Sequence, residues 1–189
     1  MTNLETLDLS YNTFDTSLPS ELGLLTSLKY LYLGSNHLFG AVPSELGHLT
    51  NLETLDLSHN TFNTSLPSEL GCLTSLKYLY LGSNLYSGAV PSELGLLTNL
   101  EALDLSNNSF LSSVPSELGL MSSLKYLYVG SNHLSGALPS ELGLLTGLVG
   151  LDLSNNNFMA SLPSELGLLS CFSWLPLGTN HISGALPSE

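Results

Sequence analysis

Arginine is absent from this 189-residue chain, and lysine occurs only at Lys29, Lys77 and Lys125, against 16 aspartates and glutamates. A formal net charge of −13 argues against nucleic acid as a partner, because affinity there rests on cations that neutralise phosphates. Anionic lipid surfaces are disfavoured for the same reason, whereas basic partners suit the charge. Long apolar runs are also missing. The hydrophobic residues come in bursts such as Leu31-Tyr32-Leu33, far short of the ~20 residues a spanning helix needs, so no segment is expected to insert directly into a membrane. The start, Met1-Thr2-Asn3-Leu4-Glu5, lacks the basic and apolar stretches of a secretory leader. Only two cysteines occur, Cys72 and Cys171, without the spacing of a disulfide framework or a metal site. No glycine-rich phosphate loop followed by lysine is present.

What the chain has is self-similarity. Leu4, Leu28, Leu52, Leu76, Leu100, Leu124 and Leu148 open segments of equal length, and Phe172 opens an eighth. Each segment reads L-x-x-L-x-L-x-x-N, with Val129 and Phe172 as apolar variants, as in Leu52-Glu-Thr-Leu55-Asp-Leu57-Ser-His-Asn60. Each runs on to Pro-Ser-Glu, with Leu-Gly next in the first seven. A longer period, of two units, lies above the first. Odd units start LETLDLS or a close variant, and units two, four and six start LKYLY. The first and third units differ only at Tyr11/His59, Asp15/Asn63 and Leu24/Cys72, which points to recent duplication.

The second unit carries Asn36, Leu38, Gly40, Val42, Pro43, Leu46 and Gly47 in the order N-x-L-x-G-x-[IV]-P-x-x-L-G. The whole chain thus resembles the plant-type leucine-rich repeat of receptor-like and inhibitor-type proteins. The resemblance implies an α/β repeat fold: a right-handed leucine-rich-repeat solenoid with a concave parallel β-sheet and short 3₁₀ turns on the convex side. The residues support this independently. Alternation in L-x-L is a strand signal, and so short a strand buries its leucines only by stacking on copies of itself. Proline at Pro19, Pro43 and Pro67 suits the first position of a helical turn. Glycine at Gly23, Gly47 and Gly71 is read as a left-handed exit from that turn.

Side chains recur in columns. Asparagine at Asn12, Asn36, Asn60, Asn84, Asn108, Asn132, Asn156 and Asn180 carries donors and an acceptor that can pair backbone at the bend after each strand, and the family uses this column as a buried structural ladder. Facing outward, Glu5, Lys29, Glu53, Lys77, Glu101 and Lys125 alternate in sign. Beside them, even strands present Tyr30 with Tyr32, Tyr78 with Tyr80 and Tyr126 with Tyr128, while odd strands present Asp56 and Asp104. Two readings stand for these eight residues. They form a ligand-binding concave face, since aromatic rings with polar tips are typical of interfaces. Alternatively they only cover the sheet, each tyrosine hydroxyl satisfying an aspartate carboxylate.

Catalysis and metal binding are not indicated. Asp56 and Asp104 fall two strands apart, about 9–10 Å, near the carboxyl separation of inverting glycosidases. The same aspartate nevertheless recurs on every odd strand with no pocket to set one apart. His37, His133 and His181 share a column but are too widely separated to bind one ion. Four units, roughly 19 Å, separate the cysteines, so they do not pair with each other. Nothing calls for a cofactor. Sequons occur at Asn63-Thr-Ser65 and Asn107-Asn-Ser109. Met1 and Glu189 both fall inside a repeat, so residues 1–189 read as a single uncapped array of about eight 24-residue units, a fragment of a longer one. The expected function is recognition of a protein or glycan ligand through the concave face, within a larger receptor-like or adhesion-like protein. For that parent the resemblance implies the cell surface or the extracellular space. An intracellular scaffold and a structural cell-surface spacer are the rival readings.

Overall fold

The computed structural model describes residues 3–184; the positions used above at Met1 and Glu189 lie outside the described residues. Among those described, seven three-residue strands form one parallel sheet in sequence order: Thr6–Asp8, Tyr30–Tyr32, Thr54–Asp56, Tyr78–Tyr80, Ala102–Asp104, Tyr126–Tyr128 and Gly150–Asp152. Every pairing joins equivalent positions of successive units, as in Leu31↔Leu55 and Leu55↔Leu79. The eighth unit joins by a single bridge, Gly150↔Trp174. Each unit lends its strand to a neighbour that presents the same apolar pattern, so a three-residue element becomes stable by repetition.

The core is a stack of leucines. Leu28, Leu31, Leu46, Leu49, Leu52 and their equivalents in the interior units are fully buried, while those of the first unit, Leu4, Leu7, Leu22 and Leu25, are partly buried. Opposite the sheet, seven five-residue 3₁₀ turns run from Ser20–Leu24 to Ser164–Leu168. Proline stands one residue ahead of the expected place: Pro19 is extended (φ −75°, ψ 139°), and its carbonyl accepts the first bond of the turn from the Leu22 amide at 3.2 Å.

The glycines following these turns' leucines need a different explanation from the one given above. Gly23, Gly47 and Gly71 sit inside the 3₁₀ segments, and none is among the glycines of positive φ. Instead, a Cβ on Gly23 would lie 2.3 Å from the Glu45 carbonyl oxygen, with 2.6 Å at Gly47 and 2.4 Å at Gly71. Successive turns stack backbone to backbone, and glycine is the residue that lets them approach. The left-handed position lies elsewhere, one residue before each ladder asparagine: Tyr11, Ser35, His59, Ser83, Asn107, Ser131, Asn155 and Thr179 have φ between 52° and 58°.

A second set of parallel pairs was not foreseen. Phe39–Gly40 pairs with Thr61–Phe62, Ser87–Ala89 with Ser109–Leu111, and Ser135–Gly136 with Asn157–Phe158. Each joins an even unit to the following odd one. Gly40, Gly88 and Gly136 (φ 78–80°) lie in these strands; at the same position of odd units Thr16 and Thr64 carry no positive φ, whereas Ser112 does (70°).

Candidate functional site

At the bend below the sheet, each asparagine from Asn36 to Asn180 binds backward into the preceding unit. Asn84 is typical: its Nδ2 donates to the carbonyls of Leu57 (2.9 Å) and Leu81 (3.2 Å), and its Oδ1 accepts from the Phe62 amide at 3.2 Å. Offsets of 27 and 22 residues recur along the chain. Asn36, Asn60, Asn84, Asn108 and Asn132 are buried. Asn156 and Asn180 are half-buried, while Asn12 is exposed and bonds only to its own Leu9 and Ser10 carbonyls. This column is occupied with backbone.

On the outer side of the sheet, residues two apart along a strand share one face. Tyr30 and Tyr32 are therefore brought together, with ring centroids 6.5 Å apart and planes 2° from parallel. Tyr78 with Tyr80 (6.3 Å) and Tyr126 with Tyr128 (6.1 Å) repeat the arrangement. Five of the rings are half-buried, and Tyr126 is 39% exposed. The strands Thr54–Asp56 and Ala102–Asp104 lie between these pairs, so Tyr80 is paired in register with both Asp56 and Asp104. The eight residues singled out in the sequence thus share one face of one sheet.

The tyrosine–aspartate hydrogen bonds considered above are not what forms. Each carboxylate turns along its own chain: Asp56 Oδ1 accepts from the Ser58 amide (2.9 Å) and the Ser58 hydroxyl (2.6 Å), and Asp8, Asp104 and Asp152 bind Ser10, Ser106 and Ser154 in the same way. A short aspartate side chain reaches the amide two residues on, the usual Asx geometry, before it reaches a neighbouring strand's phenol. At Asp8, the Ser10 hydroxyl and then its amide hold the carboxyl below its ordinary value. The other oxygen, Oδ2, of Asp56, Asp104 and Asp152 has no hydrogen-bond partner among the described residues. The carboxylate lies over a glycine: a Cβ on Gly34, Gly82 or Gly130 would meet the next unit's carboxylate at 2.7–2.9 Å.

Burial first, and then the neighbouring Tyr78, Asp56 and Asp104, raise the Tyr80 phenol above its ordinary value. Tyr128 is raised by burial, then by Tyr126, Asp104 and Asp152. Both phenols are therefore neutral donors at physiological pH. The lysines are committed: Lys29, Lys77 and Lys125 each bind the glutamate of the preceding strand, Glu5, Glu53 and Glu101, at 3.0, 2.7 and 2.7 Å. Those glutamates hold the lysines above their ordinary value, chiefly through the hydrogen bond. With the cations neutralised in pairs, aspartate sets the sign of the face.

Trp174 belongs with these residues, although the sequence columns did not single it out. It is 49% exposed and meets Tyr128 edge-on at 5.9 Å. Gly150 makes the room, since a Cβ there would lie 3.2 Å from the indole and 3.3 Å from Tyr126. The available signal was a glycine flanked in its column by Tyr126 and Trp174. No group of three or more histidine, cysteine or acidic side chains among the described residues could hold a metal ion. Cys72 and Cys171 are free and exposed. No helix among the described residues is long and apolar enough to cross a membrane.

Residues 1–134 match the leucine-rich repeat region family, and residues 147–169 match a leucine-rich repeat. No curated protein sequence matches the chain significantly. Among solved structures, PEPR1–AtPEP1 superposes with a TM-score of 0.96 at 34% identity, over 98% of this chain and 26% of that one. The Arabidopsis receptor kinase HAESA, in complex with the peptide hormone IDA and the co-receptor SERK1, gives 0.93 at 35% identity, over 98% of this chain and 32% of that one. A leucine-rich-repeat protein of Leptospira interrogans gives 0.70 at 34% identity, over 96% and 50%. The chain therefore spans about a quarter to a third of the first two of these structures. By its repeats, its fold and these matches, the chain belongs to the leucine-rich-repeat family.

Proposed function

We propose that the chain is a non-catalytic recognition array, part of a larger receptor-like protein, that binds a peptide or protein segment across its concave face. The observation carrying this reading is the alternation of parallel tyrosine pairs with aspartates whose second carboxylate oxygen is uncommitted. Rings supply contact area at little entropic cost, and the carboxylates select cationic groups. The HAESA complex, which holds a peptide hormone, supports a peptide as the ligand class. The ligand we expect is extended and basic, with the interior residues Tyr78, Tyr80, Asp104 and Tyr128 as its main contacts.

Panning a random-peptide display library on the full chain tests this. Selected peptides should be enriched in lysine, arginine and aromatic residues. Alanine at Tyr78, Tyr80, Asp104 and Tyr128 should together weaken them by more than ~2 kcal/mol, as interface hot spots do, with the thermal melt retained. Ser92→Ala and Ser140→Ala, on the opposite side, should change nothing. Peptides that tolerate the tyrosine variants and fail on the serine variants would overturn the reading.

A further inference from the structure

Behind the sheet, the residue after each turn glycine is exposed. In four successive units it is leucine: Leu96, Leu120, Leu144 and Leu168, exposed by 57, 56, 62 and 73%. His48 and Cys72 separate these from Leu24, which is 72% exposed. Nothing in the core requires leucine here, because the turn is already anchored by its buried partners Leu94, Leu118, Leu142 and Leu166. Since Gly95 and Gly119 let the turns stack in direct contact, neighbouring leucines line common ground. Leu96 and Leu120 border one shallow depression of about 190 Å³ together with Glu93 and Glu117. A contiguous apolar row of this kind on a folded surface marks an interaction site.

Charge and spacing identify what fits it. Glu93, Glu117 and Glu141 run alongside the leucines, exposed, one per turn. All three lysines of the chain are on the other face, each bound to a glutamate, so this side carries no lysine or arginine to offset the row. The turns repeat with the strands, at ~4.8 Å. An α-helix presents a residue to one side every ~5.4 Å, drifting by roughly 2 Å over three steps. An extended strand presents one every ~6.7 Å and drifts by more than a whole unit. A second copy of this chain would set glutamate against glutamate.

We propose that the row from Leu96 to Leu168, with Glu93, Glu117 and Glu141, is a docking stripe for a basic amphipathic α-helix of another protein. The helix lies along the stacking direction, its apolar residues at i, i+4, i+7 and i+11 against the leucines and its lysines or arginines against the glutamates. This stripe is separate from the concave face and does not depend on the function assigned there.

The test uses the full chain and a fluorescent peptide of about 18 residues, made of leucine and lysine in helical amphipathic order. A scrambled peptide of the same composition serves for comparison. Anisotropy should show binding of the ordered peptide, with a gain of helicity in circular dichroism, at least about tenfold tighter than the scrambled one. Leu120→Asn with Leu144→Asn should weaken it by about tenfold or more while leaving the melt unchanged, since both leucines are exposed. Glu117→Gln with Glu141→Gln should weaken it and flatten its salt dependence. Leu85→Asn, at an exposed leucine outside the row, should leave it intact. Equal binding of the scrambled peptide, indifference to the asparagine variants, or no binding at all would overturn the proposal. So would sedimentation in which the asparagine variants abolish self-association of the chain, which would make a second copy the occupant.

Discussion

The buried bend and the concave face are built from the same units, yet they follow different periods. At the bend, asparagine recurs in every unit and makes the same backward bonds from Asn36 to Asn180. On the face, tyrosine pairs and aspartates alternate from one unit to the next. What the backbone requires must appear in every unit, because each bend leaves the same groups to be paired. What appears in every second unit is not required by the bend. It reflects duplication, ligand demand or both. The comparison thus separates residues that hold the array together from those free to contact something else.

Substitution of the ladder should show the largest effect. Asn84→Leu strands the Phe62 amide and leaves the Leu57 carbonyl with Asn60 Nδ2 as its remaining donor, and should cost on the order of 1–3 kcal/mol in chemical denaturation. Tyr80→Ala should cost far less, and equal losses at the two positions would break the comparison. Next come the turn glycines. Gly119→Ala puts a Cβ 2.4 Å from the Glu141 carbonyl oxygen and should cost about 1–3 kcal/mol in thermal melts. Gly147→Ala, whose Cβ would meet only the Leu124 carbonyl at 3.8 Å, should be neutral or slightly stabilising. If the two behaved alike, close approach would not be the reason for the turn glycines.

A smaller effect, of opposite sign, belongs to Tyr86. It stands where other units place Phe62 and Phe110, with which it stacks at 5.8 and 6.1 Å, and its buried hydroxyl has no hydrogen-bond partner among the described residues. Tyr86→Phe should stabilise by up to about 1 kcal/mol. Burial raises this phenol well above its ordinary value. Its contribution is therefore complete below pH ~10, where unfolded tyrosine titrates, and is lost as pH rises through the folded value. Alkaline unfolding followed by tyrosinate absorbance should shift to higher pH in Tyr86→Phe. An unchanged midpoint would mean that other tyrosines govern it. Smallest of all, Lys77→Ala breaks a solvent-exposed pair with Glu53 and should leave the melting curve unaltered.

Repeat length, strand positions and the 3₁₀ turns were legible because each leaves a periodic mark: alternation at Leu55-Asp56-Leu57, proline ahead of Ser68, leucines in step. The reason for Gly23 was not legible. A left-handed bend and a close backbone approach both call for glycine, and only the position of the Glu45 carbonyl in the next unit distinguishes them. The short second pairs were hidden because a two-residue strand such as Phe39–Gly40 is too brief to show a period. On the face, the columns placed Tyr78, Tyr80 and Asp104 together. They did not reveal that Asp104 would turn to Ser106, since sequence separation alone does not rank a bond along the chain against one across strands.

The carboxylate lying over glycine has a consequence for how such a gene changes length. Each even unit carries glycine two residues past its strand, and the aspartate of the following odd unit occupies the space a Cβ would take at Gly34, Gly82 or Gly130. Odd units carry serine at that point, and Ser10, Ser58 and Ser106 lie beneath a tyrosine strand. Unequal recombination that adds or removes a pair of units recreates this order at the new joint and regenerates every ladder bond. A slip of one unit preserves the asparagine offsets but can set a serine side chain beneath an aspartate. Lengthening by whole pairs is therefore structurally silent, whereas two odd units in succession bring a serine against a carboxylate that must swing aside.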